Sequence, residues 1–316
     1  MILSEKEAAL LTDYVLSTDA LSKRYGKHTV VDKVSLHIRK GAIYGLVGRN
    51  GAGKTTFMKM ICGFARPASG SYSLFGETYP AVSAARTKVG NLIETPGFFE
   101  KMSAYDNLRA KAKLFRQDDK QKLQDILKLV HLDKTGSKPA GKFSLGMLQR
   151  LGIGLALIGD PQLLVLDEPI NGLDPTGVAE IRETLLSLSR DRGITILISS
   201  HILGELSKLA TDYGFIEKGS LIREISHDQL QAECTDHVRL SVDDAEAAVR
   251  VLNGIGITGV TPENEPGNLR VNGCTERTAE ITAALVHGGV GVYEIARQAI
   301  DLESYYFQMI GKDGKE

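Results

Sequence analysis

The glycine-rich stretch at residues 48–56 constrains the fold of this chain more than any other feature. Residues 42–47 before it are largely apolar and predict a buried strand, and residues 56–64 after it predict a helix. Glycines let the backbone curl so that successive N–H groups point inward, and the N-terminus of a following helix favours negative charge. The stretch therefore predicts a phosphate-binding loop between a strand and a helix.

This loop carries side chains suited to a nucleoside triphosphate. Lys54 is expected to reach the β- and γ-phosphates, and the Thr55 hydroxyl is expected to hold Mg²⁺. The residues predicted to bind the nucleotide in this loop are Gly48, Arg49, Asn50, Gly51, Ala52, Gly53, Lys54, Thr55 and Thr56. The motif indicates a nucleotide but does not say which reaction is performed on it.

Size and composition limit what can be built around the loop. With 316 residues, of which 42% are hydrophobic, the chain can bury one large core and a smaller one, so one or two domains are expected. The net charge of −1 and the even scatter of charges argue against binding to nucleic acid. Cys62, Cys234 and Cys274 are widely spaced and form no CxxC, which favours idle thiols in a reducing cytosol over disulfides or zinc.

A membrane-spanning segment is not expected from the sequence. A bilayer span needs about 18 consecutive apolar residues, whereas the best candidate, residues 151–158, is stopped by Gly159, Asp160 and Pro161. The N-terminus also lacks a basic stretch followed by an apolar core, which would indicate a secretion signal. Any role at a membrane is therefore expected to come through a partner.

Alternating and helical patterns surround the loop. Residues 1–13 precede the recognisable domain as an N-terminal extension, and residues 14–18 alternate like an edge strand. Residues 30–38 also alternate and predict an antiparallel strand. Apolar residues recur at helical spacing through residues 103–132. The pattern predicts an antiparallel β subdomain and a helical insert of two or three helices, at about 95–140.

Two acids follow a continuous apolar run at residues 163–166, which is typical of a strand buried on both faces of a parallel sheet. Ligands of open α/β sheets bind at the carboxyl ends of such strands. Asp167 is therefore expected to hold Mg²⁺, and Glu168 to orient or deprotonate the attacking water. A further strand at residues 194–199 leads to His201, for which a contact to the γ-phosphate is the favoured interpretation.

The order of these parts resembles the ATP-binding subunit of ABC transporters, over residues 14–229. Besides the loop and the two acids, the resemblance rests on residues 143–150, FSLGMLQR, which look like the ABC signature. Residues 171–174, NGLD, look like the D-loop. The signature separates this family from kinases, GTPases and other P-loop ATPases. The resemblance implies an α/β P-loop NTPase fold, with ATP and Mg²⁺ as cofactors and ATP hydrolysis as the activity.

Further roles are implied by the same resemblance. Tyr25 matches the aromatic residue that stacks on adenine, and Asp174 belongs to the D-loop. Ser144 and Gly146 match signature residues that contact the ATP held by the opposite subunit. The resemblance therefore implies a head-to-tail dimer, with itself or with a paralogous ATPase. It also implies a separate transmembrane permease and a cytoplasmic location, peripheral on the inner face of the cell membrane.

Glu94 departs from the family pattern, because most members have a glutamine at this position. A glutamate can still ligate Mg²⁺, but it adds a negative charge beside the metal and the triphosphate. Glu94 is thus expected to contact both the nucleotide and Mg²⁺. Residues 95–114, which follow it, are expected to contact the permease. A glutamate here, followed by GFFE at residues 97–100, is similar to the bacitracin-export and lantibiotic-immunity branch of the family. Residues 14–18, YVLST, and 302–307, LESYYF, also look like that branch. This similarity leads to the hypothesis of export of, or self-protection against, an antimicrobial peptide.

Residues 230–316 have a different pattern. Strands and helices are expected there in the order β-α-β-β-α-β, which is the ferredoxin-like plan, followed by an amphipathic helix at residues 301–310. This small α+β domain could sense a ligand, stabilise a dimer or serve as a structural appendage.

Two other functions compete with the transporter hypothesis. Soluble ABC ATPases of translation or DNA repair usually carry two cassettes or a long coiled-coil insert, and this chain shows neither. A sensor that binds ATP without turnover is the second alternative, since Leu145, Met147 and Glu94 all depart from the common pattern.

Overall fold

A computed structural model describes residues 14–233, 237–263, 265–298 and 305–306. The chain divides into two compact units, the first ending at His227 and the second beginning at Asp228. The predicted N-terminal extension and Cys234 lie outside the described residues, as does the helix expected at residues 301–310 apart from Tyr305 and Tyr306. No helix in the described ranges is long and apolar enough to cross a bilayer.

The first unit contains eleven strands and seven complete helices among the described residues, and an eighth helix crosses the division between the units. Its strands are β1 (Tyr14–Tyr25), β2 (His28–Val34), β3 (His37–Arg39), β4 (Ile43–Val47), β5 (Ser69–Leu74), β6 (Glu77–Thr78), β7 (Val89–Leu92), β8 (Leu163–Asp167), β9 (Thr195–Ser200), β10 (Asp212–Glu217) and β11 (Ser220–Ser226). Its helices are α1 (Lys54–Ile61), α2 (Ser83–Arg86), α3 (Ala104–Leu114), α4 (Lys120–Leu129), α5 (Leu145–Leu157), α6 (Pro175–Arg192) and α7 (Leu203–Leu206), and α8 (His227–Glu233) crosses the division.

A six-stranded sheet in the order β11-β10-β4-β9-β8-β7 forms the centre of the first unit. All neighbouring pairs are parallel except β10 and β11. Every residue of β4, β8 and β9 is buried, which confirms the strands predicted from the apolar runs at residues 42–47 and 163–166. The carboxyl ends of these strands meet at one edge, where the phosphate-binding loop begins.

The antiparallel β subdomain is present, but the edge position expected for residues 14–18 is wrong. These residues begin the 12-residue strand β1, which pairs with β2 and β3 on one side and with β5 on the other. Thr18, the polar residue that ends this alternating stretch, explains why an edge strand was expected. Thr18 is buried because its hydroxyl donates to Val34 O at 3.0 Å and accepts from Leu36 N at 2.9 Å. The single strand expected at residues 30–38 is likewise interrupted there, between β2 and β3.

The predicted helical insert consists of α3 and α4, followed by two short 3₁₀ turns. Each helix begins at a side-chain cap: Ser103 accepts from Asp106 N, and Asp119 accepts from the N–H groups of Gln121 and Lys122. Leu108, Leu123 and Ile126 are buried, as their helical spacing predicts.

The second unit has a four-stranded antiparallel sheet and two helices among its described residues. Its elements are β12 (His237–Val242), α9 (Ala245–Gly254), β13 (Val260–Pro262), β14 (Asn268–Asn272), α10 (Thr278–His287) and β15 (Val292–Gln298). The strand order is β13-β14-β12-β15, and every neighbouring pair is antiparallel. Val238, Leu240, Leu252 and Leu285 belong to its own hydrophobic core. The element order is the β-α-β-β-α-β plan predicted from the sequence.

Candidate active site

The loop between β4 and α1 has a backbone that only glycine can supply at two positions. Gly53 has a φ of +105°, and a Cβ on it would lie 2.7 Å from the carbonyl oxygen of Val30. A Cβ on Gly48 would lie 2.4 Å from the carbonyl oxygen of Ile216. Helix α1 begins directly after Gly53, so its N-terminus opens onto the loop, as a phosphate-binding loop requires.

Lys54 lies across this loop with its ammonium group turned inward. The side chain is only 5% exposed. Its Nζ donates to the carbonyl oxygens of Gly48 at 2.6 Å and Arg49 at 3.2 Å, and it lies 3.3 Å from Glu168 Oε1. The same cation therefore touches the loop backbone and the acid that follows β8.

Asp167 ends β8 and is held by two hydroxyl groups. Thr55 Oγ1 donates to its Oδ2 at 2.7 Å, and Ser199 Oγ donates to its Oδ1 at 2.6 Å. A threonine hydroxyl and a carboxylate are hard oxygen donors. Mg²⁺ usually takes one or two protein groups and completes its shell with water and phosphate oxygens. The donor chemistry of Thr55 and Asp167 therefore fits Mg²⁺.

Glu168 lies just beyond the strand in a left-handed conformation, with a φ of +49°. Its Oε2 lies 2.8 Å from His201 Nδ1, so the structure brings these two predicted residues together. Its buried Oε1 accepts no hydrogen bond from the described residues and faces Lys54. In the structure described, this oxygen is therefore paired with the Lys54 ammonium rather than open to water.

Ser199 is a residue that the sequence reasoning missed. It is fully buried on β9, directly opposite Asp167 in the parallel pairing of β8 and β9. Besides donating to Asp167, its hydroxyl accepts from Glu168 N at 2.9 Å. One hydroxyl thus links both acids. The signal available in the sequence was a serine near the end of the strand that precedes His201.

Glu94 lies two residues beyond β7 at the same edge of the sheet, because Leu92 is paired with Leu166. The structure brings its carboxylate to Lys59, with Oε1 2.5 Å from Nζ, rather than to Asp167. The Glu94 side chain is 62% exposed. Its predicted contact with the metal and the nucleotide stays a prediction.

Tyr25 and Thr56 are the predicted nucleotide contacts that flank the loop. Tyr25 ends β1 with 52% of its surface exposed, and the Lys23 ammonium lies 4.9 Å from the centre of its ring. An exposed aromatic face of this kind is able to stack on a base. Thr56 is half-buried in the first turn of α1.

The signature and D-loop residues cap two exposed helix N-termini. Ser144 precedes α5 and accepts from Met147 N at 3.3 Å. Asp174 precedes α6 and accepts from Gly177 N at 3.1 Å. Both capping residues are exposed, and a Cβ on Gly146 would meet nothing closer than 3.7 Å. Ser144 is therefore the N-cap of α5.

Comparison with known proteins reveals relatives along nearly the whole chain. The profile of the ABC transporter family matches residues 31–171. The bacitracin transport ATP-binding protein BcrA of Enterococcus faecalis is 40% identical over 307 residues, covering 96% of this chain and 99% of that protein. The lantibiotic transport ATP-binding protein SrtF of Streptococcus pyogenes is 42% identical over 214 residues, covering 68% and 92%. A solved ATP-binding subunit of an ABC transporter superposes with a TM-score of 0.61 at 26% identity, covering 69% and 92%.

Proposed function

The chain belongs to the ATP-binding, ATP-hydrolysing subunits of ABC transporters, and on that premise we propose the role of each site residue and the cargo of the transporter. The observation that carries the assignment of roles is the convergence of Lys54, Thr55, Asp167 and Glu168 at one sheet edge. These four side chains come from a helix and a strand that are far apart in the sequence. Their meeting point is where ligands of α/β sheets bind.

The phosphate-binding loop would hold the triphosphate of ATP. Its backbone N–H groups and the N-terminus of α1 would bind the phosphate oxygens, and Lys54 would shift from the loop carbonyls to the β- and γ-phosphates. Thr55 and Asp167 would hold Mg²⁺, directly or through water, with Glu94 as a further contact of the metal. When bound, the ion would neutralise charge that develops on the γ-phosphoryl oxygens.

Glu168 would act as the general base. Its Oε1 would take a proton from a water molecule as that water forms a bond to the γ-phosphorus and the bond to the β,γ-bridging oxygen breaks, giving ADP and phosphate. His201, at 2.8 Å from Oε2, would hold the Glu168 carboxylate and contact the γ-phosphate. Tyr25 would stack on the adenine.

The subunit would act as a head-to-tail dimer, with a second copy or a paralogue. Ser144 and Gly146 support this arrangement because they lie at the exposed N-terminus of α5, which favours anions, and the D-loop residue Asp174 is also exposed. In the dimer they would reach the ATP held by the opposite subunit. Within this scheme residues 14–229 form the ATP-binding domain and residues 230–316 an accessory domain.

The second proposed partner is a separate transmembrane permease. Residues 95–114, between Glu94 and the end of α3, would contact it, and the dimer would then lie on the cytoplasmic face of the cell membrane. Phe99 and Met102 support this contact because they expose 60% and 39% of their surfaces. Apolar side chains that remain exposed in this way are common in interaction sites.

The cargo that we propose is an antimicrobial peptide, which the transporter exports or removes to protect the cell. The support is the identity to BcrA over nearly the full length of both proteins, together with the identity to SrtF. The names of those relatives refer to bacitracin and lantibiotic transport.

One experiment tests both the chemistry and the cargo. The chain and its permease are expressed together in a peptide-sensitive host, and growth is measured against bacitracin and a lantibiotic. Protection is expected with the wild type and should disappear with Glu168→Gln, while purified Glu168→Gln protein should still bind ATP but lose hydrolysis. Full ATPase activity in that variant would remove Glu168 from the mechanism. Unchanged sensitivity despite an active ATPase would refute the peptide cargo.

A further inference from the structure

Glu94 forms an ion pair beside the proposed nucleotide site with Lys59, a residue that has no role in the scheme above. Lys59 Nζ lies 2.5 Å from Glu94 Oε1, and the lysine and glutamate side chains are 30% and 62% exposed. Lys59 follows Thr55 by four residues on α1. Residues with this spacing lie on the same face of a helix, with Cβ atoms roughly 5–6 Å apart. Lys59 therefore lies one turn below the hydroxyl that binds Asp167.

Glu94 reaches Lys59 from the neighbouring strand of the same sheet. Because Leu92 is paired with Leu166, the chain leaves β7 at the level where β8 ends in Asp167. Glu94 has a φ of +62°, which turns the backbone sharply after the strand. The backbone of Glu94 thus lies just beyond the sheet edge at which β8 ends in Asp167.

Each of the three acids at this edge has a different partner. Asp167 accepts from two hydroxyl groups, and Glu168 faces Lys54 and His201. Glu94 is bound by Lys59. The Lys59 ammonium is therefore the cation that balances the charge of Glu94, since Lys54 already faces another acid.

We propose that Lys59 is the charge partner that makes a glutamate acceptable at this position beside the nucleotide. An unpaired carboxylate would repel the triphosphate, whereas a glutamate paired with a lysine has no net charge, like a glutamine. Lys59 is in this sense a positioning residue that acts through Glu94. The inference rests on the proposed function, in which the end of β7 borders the γ-phosphate.

The test is a double-mutant cycle on ATP affinity in the full-length chain. Wild type, Lys59→Gln, Glu94→Gln and the double variant are titrated with a fluorescent ATP analogue in EDTA, where the nucleotide carries its full negative charge. Lys59→Gln is expected to weaken binding about fivefold, as for one unit charge acting at roughly 8 Å with an effective dielectric constant of about 40, between the values for a protein surface and for bulk water. The double variant should return to within about twofold of wild type, and the loss in Lys59→Gln should shrink at high salt.

Lys122→Gln provides a matched control. Lys122 pairs with Asp160 at the same 2.5 Å and is 30% exposed, while its partner is 66% exposed. It lies on α4, and Asp160 lies near the start of β8, at the opposite end of the strand from Asp167. Removing this lysine should leave ATP affinity unchanged.

Two results would overturn the inference. Unchanged affinity in Lys59→Gln would show that the pair does not influence the nucleotide. A double variant as weak as Lys59→Gln would show that the lysine does not act through Glu94. If the wild-type chain itself failed to bind the ATP analogue, the proposed nucleotide site would be refuted and this inference with it, so the two failures are distinguishable.

Discussion

Ser199→Ala tests how the two acids of the active site are held. The hydroxyl that it removes donates to Asp167 at 2.6 Å and accepts from the Glu168 N–H at 2.9 Å. Loss of a hydrogen bond to a charged group costs about 1.5–3 kcal/mol, and a partly buried N–H left without an acceptor costs about 1–2 kcal/mol. Because the two losses overlap, we expect a total of about 2–3 kcal/mol. In a domain of this size that corresponds to a fall in Tm of roughly 5–10 °C.

The effect on catalysis should exceed the effect on ATP binding. Glu168 has a left-handed backbone, which an ordinary residue keeps only when its surroundings hold it. Without the Ser199 hydroxyl, this backbone loses one of its fixed contacts, and the general base moves away from the attacking water. A misplacement of about 1 Å can lower a rate by ~100-fold. We expect kcat to fall by about 10- to 100-fold, while the KM for ATP stays within about twofold because Lys54 is unchanged.

Steady-state ATPase assays and thermal denaturation measure the two effects. Ser200→Ala is the matched control, since Ser200 is equally buried on β9 but accepts its hydrogen bond from Ile202 N at 2.9 Å, away from the acids. That variant should keep most of its kcat. If Ser199→Ala retained more than half of the wild-type kcat, the hydroxyl would not be what fixes Asp167 and Glu168.

Two further predictions concern the phosphate-binding loop and a thiol. Gly53→Ala should lower ATP affinity by at least tenfold, because the new Cβ would lie 2.7 Å from Val30 O. Gly51→Ala has open space around the new Cβ and should lose only the roughly 1 kcal/mol of an unfavourable backbone conformation, which is about fivefold in affinity. Equal losses of affinity in an ATP titration of the two variants would contradict this. Desolvation raises the pKa of the partly buried Cys62 thiol to about 12, which leaves little thiolate at pH 8. Iodoacetamide should therefore label Cys62 slowly in the folded chain and quickly in guanidinium, as followed by peptide mapping, and rapid labelling of the folded chain would disprove this.

The parts of the fold that sequence could predict are those fixed by local patterns. The phosphate-binding loop can be predicted from a strand, glycines and a helix in succession. Strand β8 can be predicted from a continuous apolar run that ends in Asp167. The position of β1 could not be deduced in the same way. Thr18 ends the stretch whose alternation predicted an edge strand, but its hydroxyl is satisfied by backbone groups 16 and 18 residues away.

The parts of the site that sequence could not predict depend on pairing between distant segments. Ser199 lies 32 residues from Asp167, and only the register of β8 and β9 brings their side chains together. Lys59 and Glu94 are 35 residues apart, and a lysine in the middle of a helix gives no sign of its partner. Glu94 could be recognised as unusual from the sequence, but the cation that balances it could not.

Helix α1 supplies both lysines that hold the glutamates at the sheet edge. Lys54 faces Glu168 at 3.3 Å, and Lys59 binds Glu94 at 2.5 Å. Both glutamates have positive φ, +49° and +62°, conformations that cost about 1–3 kcal/mol and persist only when neighbouring groups hold them. A triphosphate at the N-terminus of α1 would compete with Glu168 for the Lys54 ammonium. Binding of ATP would therefore release the Glu168 carboxylate when a water must be deprotonated, whereas Lys59, one turn further along, would continue to neutralise Glu94.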